Sequence, residues 1–102
     1  MKNLVRESLD EEPYVEYEEH EPEIDAFGSR FWYNEDRQFH REDGPAVEYA
    51  DGNKFWFING ELHREDGPAV EDISGSKYWY INDKLHREDG PAIEYASGRK
   101  EW

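Results

Sequence analysis

Cysteine is absent from this chain. That excludes a disulfide framework, a thiolate metal site and a thiol nucleophile, and it fits a reducing compartment. No hydrophobic run approaches the length that spans a bilayer, and the start, MKNLVRESLDEEP, lacks the apolar core of a signal peptide. A cytoplasmic location is expected, the host cytoplasm if the chain is viral. Basic residues are few: 12 Lys and Arg stand against 26 Asp and Glu, for a net charge of −14. The excess is densest in residues 1–25, which hold ten acids and two bases. Such a surface repels phosphate backbones and anionic lipid, so neither direct nucleic-acid binding nor membrane binding is expected; a basic protein surface is the natural partner. Helical periodicity is missing as well, and no segment reads as a helix.

Aromatic side chains are what the chain has in quantity. Only 35% of its residues are hydrophobic, yet 16% are aromatic, and a few large rings can bury enough area for a thin core. The rings recur. Trp32, Trp56, Trp79 and Trp102 are spaced 24, 23 and 23 residues apart, and Gly28, Gly52, Gly75 and Gly98 keep the same steps. The heptapeptide HREDGPA stands unchanged at His40–Ala46, His63–Ala69 and His86–Ala92. Three markers with one period define a tandem repeat of 23 residues. The extra residue in the first step falls in Tyr33–His40, where a longer turn accommodates it.

Each unit reads as two strands and two turns. PAVEYA leads to Asp51–Gly52, a hairpin signal; NKFWFI is a second strand of about six residues; Asn59–Gly60 turns the chain again. The expected fold is all-β: an antiparallel meander of about three tandem β-hairpin repeats over residues 24–102, preceded by an acidic extension, residues 1–23, that is either disordered or an edge strand. Alternation along the strands places Phe55 and Phe57 on one face and Lys54, Trp56 and Ile58 on the other, giving a Trp row and a Phe/Tyr row, with Val47, Val70 and Ile93 as an aliphatic row. Glu101, where other copies carry Phe31, Phe55 or Tyr78, suits an exposed edge.

The heptapeptide raises the question of chemistry. Read as a corner, Asp43 bonds backbone groups two residues on, Gly44 takes positive φ, and Pro45 sets the start of the following strand. Arg41 with Glu48, Arg64 with Glu71 and Arg87 with Glu94 are expected charge pairs, and the imidazole is expected to donate to a nearby carbonyl. Read as a metal site, it needs ligand nitrogens about 2 Å from one ion. In a meander, equivalent histidines lie roughly 10 Å apart at ~4.8 Å per strand, too far to share one. Read as catalysis, it lacks a Ser or Cys at a fixed position beside the His, and three identical sites are unusual for an enzyme. The corner reading is preferred; no catalytic residue, metal or cofactor is assigned.

The residues Gly52, Trp56, Asn59–Gly60, His63 and Gly67 resemble the MORN-type repeat, in the HRxDGPA variant of bacterial, phage and giant-virus proteins, over about residues 24–102. Asn82–Asp83 departs from the usual Asn-Gly. The resemblance implies paired antiparallel strands in an elongated sheet, an interaction role rather than catalysis, and in some bacterial relatives an antitoxin-like label. With the charge, it leads to an expected non-enzymatic interaction protein: an acidic inhibitor, of the phage counter-defence or antitoxin type, docking on a basic surface such as that of a nucleic-acid-binding enzyme. A structural, self-assembling repeat that dimerises through sheet edges is the alternative. Candidate partner contacts are Tyr14, Tyr17, Glu42, Asp43, Glu65, Asp66, Glu88 and Asp89.

Overall fold

The computed structural model describes residues 21–102, and all secondary structure among them is β. The strands are β1 (Glu23–Ile24), β2 (Arg30–Phe31), β3 (Val47–Glu48), β4 (Lys54–Phe55), β5 (Phe57–Ile58), β6 (Glu61–Leu62), β7 (Val70–Glu71), β8 (Lys77–Tyr78), β9 (Tyr80–Ile81), β10 (Lys84–Leu85), β11 (Ile93–Glu94) and β12 (Lys100–Glu101). Eight form one antiparallel meander in the order β1-β2-β3-β4-β7-β8-β11-β12, while β5 with β6 and β9 with β10 stand aside as small hairpins. The expected meander is present, with a second, lateral hairpin in each unit.

The six-residue strand NKFWFI does not run straight. It divides at Trp56: Lys54 and Phe55 pair with β3 and β7, whereas Phe57 and Ile58 pair with β6. Trp56 joins the two systems, since its N–H donates to the Ala69 carbonyl (2.7 Å) and its carbonyl accepts from His63 N–H (3.1 Å). Beyond the break, the Phe57 carbonyl accepts from Arg41 N–H of the corner heptapeptide (3.1 Å).

Directly opposed residues share a face, so the register writes two rows across the large sheet. One runs Glu23, Phe31, Val47, Phe55, Val70, Tyr78, Ile93, Glu101. Its aliphatic members are buried, Val47 to 1% exposure. Neighbouring rings cover them: Tyr49 lies edge-on to Phe31 and Phe55, Tyr95 edge-on to Tyr78, and Phe39 between Phe31 and Phe57. Phe55 and Phe57 stack at 6.5 Å, so the expected Phe row is in place. The other row reads Ile24, Arg30, Glu48, Lys54, Glu71, Lys77, Glu94, Lys100. From Arg30 onward the charges alternate in sign, which makes each cross-strand pair attractive.

Turn chemistry follows the residues. Asn59 and Gly60 take φ of 49° and 82°, the doubly left-handed turn that matches strand twist. Asn82 and Asp83 adopt the same turn at 49° and 69°, and the Asp83 carboxylate accepts from Leu62 N–H of the preceding hairpin (2.9 Å). The additional residue of the first unit sits in the loop between Tyr33 and Phe39, which form an isolated bridge. At the start, Glu23 lies in β1, the first strand of the sheet order, and Arg37 grips its carboxylate at 2.6 Å.

Candidate functional site

The corner is built around its arginine. The Arg64 guanidinium lies 4.0 Å from the Trp56 ring centroid. Its Nε donates to Asp66 (3.0 Å), and its Nη1 donates to the Pro68 carbonyl (3.0 Å) and to Glu71 (3.2 Å). Arg41 repeats the set with Trp32, Asp43, Pro45 and Glu48, and Arg87 with Trp79, Asp89, Pro91 and Glu94. The Glu94 hydrogen bond above all raises the Arg87 pKa further. These arginine side chains are only about a fifth exposed, so three buried faces of the corner converge on one planar cation.

The glycine of the heptapeptide closes the sandwich. Gly44, Gly67 and Gly90 do not take positive φ, contrary to expectation. A Cβ at Gly67 would meet Arg64 Cζ at 2.7 Å, and at Gly44 and Gly90 the equivalent approach is 2.8 and 2.7 Å. Glycine is required here by the guanidinium plane on its other side. Asp43 likewise accepts from the arginine Nε; the residue two on is Pro45, which has no N–H to offer it. The alanine that ends the heptapeptide is fully buried at Ala46 and Ala69 and hydrogen-bonds through both backbone groups, as in Ala46 N–H to Phe55 and Trp32 N–H to the Ala46 carbonyl.

The imidazoles fasten one unit to the next. His40 Nδ1 accepts from Asn59 N–H (2.9 Å) and His63 Nδ1 from Asn82 N–H (3.2 Å). The expected donation to a carbonyl is therefore reversed. With Nδ1 accepting, the proton of the neutral ring sits on Nε2, which faces Glu42 at 3.5 Å in one corner and Glu65 at 3.2 Å in the next. The ring nitrogens are thus committed to the fold. Among the described residues no group of three or more His, Cys, Asp or Glu is placed to hold a metal ion.

Between successive corners lie open clefts. The first, about 890 Å³, is bounded by Glu42 and Asp43 on one side and by Glu65 and Asp66 on the other, with Trp56, Ile58 and His63 between them. The second, about 750 Å³, repeats this with Glu65, Asp66, Glu88 and Asp89 around Trp79, Ile81 and His86. The six acids named from the sequence are thus brought together along one edge, their side chains 69–89% exposed. Glu48, Glu71 and Glu94 are instead turned inward onto the arginines. Tyr14 and Tyr17 lie outside the described residues. Sequence reasoning missed the Trp–Arg–Gly sandwich, although Arg and Gly recurring every 23 residues, with Trp at steps of 24 and 23, were its visible trace.

Comparison with protein-family models, with curated proteins and with solved structures yields no match.

Proposed function

We propose that this chain is a non-enzymatic protein-interaction repeat of the MORN type, which docks the acidic edge of its corners on a basic surface of a partner protein. The observation that carries this reading is the division of labour among the acids. Glu48, Glu71 and Glu94 neutralise the arginines from inside the fold, whereas Asp43, Asp66 and Asp89 hold the arginine Nε from the outer side and, with Glu42, Glu65 and Glu88 beside the imidazoles, leave six side chains largely exposed along one edge. Solubility alone needs no such alignment; a linear array of six carboxylates on a rigid sheet is a complementary template for cationic side chains and speeds encounter with them. An inhibitor that covers a nucleic-acid-binding groove, as an antitoxin or a phage counter-defence protein does, is the most concrete form of this activity.

The test is affinity capture from host lysate at low and at high salt, with the wild-type chain and with Glu42, Glu65 and Glu88 changed to Gln. A basic protein retained at low salt, released at high salt and lost with the triple variant supports the reading. Capture that is indifferent to both salt and the triple change overturns it.

A further inference from the structure

We infer that the two clefts read an extended cationic segment of the partner with basic side chains at every third position. This rests on the interaction reading above and names the chemistry of its site. The argument starts from pitch. The corners enter β3, β7 and β11, which are two strands apart in the sheet; at ~4.8 Å per strand, equivalent points repeat every ~10 Å. A polyproline-II peptide advances ~3.1 Å per residue with about three residues per turn, so side chains i and i+3 share one face and are spaced by nearly the same ~10 Å, whereas in a β-strand they point to opposite sides. A peptide laid along the edge, across the strands, therefore presents side chains i and i+3 to successive clefts in phase.

Each cleft is suited to an arginine or lysine side chain by more than charge. Its rim carries four exposed carboxylates, while its interior offers Trp56 and Ile58, or Trp79 and Ile81, as apolar surface for the aliphatic stem. The indole is held rigid by the stacked Arg64 or Arg87 of its own corner, so little side-chain ordering is needed on binding. Glu65 and Asp66 form the wall common to both clefts, which couples the two positions. Arg64 is already engaged through Nε with Asp66 and through Nη1 with the Pro68 carbonyl and Glu71, and His63 Nδ1 accepts from Asn82 N–H, so the guest meets the exposed carboxylates of the cleft rim.

The experiment uses the full chain and three synthetic peptides of identical composition, each with two arginines in a Gly/Ser/Pro background, spaced i,i+2, i,i+3 or i,i+4. Titrations are followed by calorimetry and by tryptophan fluorescence, to which Trp56 and Trp79 contribute along with Trp32 and Trp102. The i,i+3 peptide is expected to bind about tenfold tighter than the other two, since only it places both side chains at once. Glu65→Gln, which leaves the Arg64 contacts intact, is expected to remove that preference, with far-ultraviolet dichroism and the melting profile verifying the fold; Glu35→Gln, the same charge change in a side turn, is expected to retain it. Equal affinity for all three spacings overturns the register while leaving the acidic docking edge in place. Failure of every peptide, with salt-sensitive capture of a basic protein still depending on Glu42, Glu65 and Glu88, removes the clefts as the reading element. Failure of both removes the interaction reading with it.

Discussion

At the scale of single residues, the corner is one arginine served by five neighbours, and its parts should behave as a unit. Gly67→Ala drives a methyl group into the Arg64 guanidinium at 2.7 Å. Because the guanidinium must then leave a position fixed by its hydrogen bonds to Asp66, Pro68 and Glu71, a loss of about 1–3 kcal/mol is expected in urea denaturation. In an Arg64→Ala background the obstruction is gone, and the same change should cost only a few tenths of a kcal/mol. A double-mutant cycle reads this directly, and additivity of the two losses would show that Gly67 is required for another reason. The Arg–Glu pairs were legible in the sequence because both partners keep a constant seven-residue separation. The stacking was not, because Trp56 and Arg64 lie at the two ends of the β5–β6 hairpin and meet only once it folds. A titration belongs to this scale too. Asp72 is held below its ordinary value of 3.8, first by the Ser74 hydroxyl and then by the backbone N–H groups of Ser76, Ser74 and Gly75. A depressed carboxylate contributes stability above its unfolded value and loses it as pH falls through the lower folded one. Asp72→Asn should therefore be less stable than wild type near neutrality, with the gap closing below about pH 4. Parallel melting curves against pH decide it; a gap that persists in acid places the effect elsewhere.

At the scale of elements, cohesion comes from hydrogen bonds between successive units as much as from rings. Ser29 Oγ accepts from Ala50 N–H, Asn53 Oδ1 from Ile73 N–H and Ser76 Oγ from Ala96 N–H, at 2.8–3.0 Å. These acceptors follow the repeat period but change identity, Ser, Asn, Ser, so no invariant letter announced them. Ser76 is buried. Ser76→Ala leaves the Ala96 N–H without its acceptor, and a destabilisation of about 1–3 kcal/mol is expected at constant denaturant slope. Ser97→Ala, at an exposed turn, should change stability by no more than about 0.5 kcal/mol. Equal effects of the two would mean that the inter-unit bond carries no weight. The meander and its turns were legible because alternation and Asn-Gly pairs are local signals. The break of NKFWFI at Trp56 was not, because it depends on which neighbour accepts each backbone group.

At the scale of the whole molecule, the main sheet of the described residues ends at β1 and β12, and its apolar row shows how those strands resist pairing with another copy. Its interior is Phe31, Val47, Phe55, Val70, Tyr78 and Ile93, yet both ends are glutamates, Glu23 on β1 and Glu101 on β12. If β12 of one molecule met β1 of another in the register that joins β4 to β7, where Phe55 opposes Val70, Glu101 would oppose Glu23. Like charges directly opposed in a sheet are destabilising, and charges placed on the apolar face of an edge blunt its pairing. Arg99 adds to this, standing where Ser29, Asn53 and Ser76 supply the acceptor for a following unit. These residues oppose edge-to-edge pairing of β12 with β1 of another copy. Changing Glu101 to Phe and Glu23 to Val extends the apolar row to both edges while leaving the corners untouched. Sedimentation velocity should then show concentration-dependent, head-to-tail oligomers for the double variant and a constant monomer for the wild type. Association of the wild type itself, undiminished when further charge is placed on either edge, would mean that copies meet through another surface and that the edge glutamates do not govern assembly.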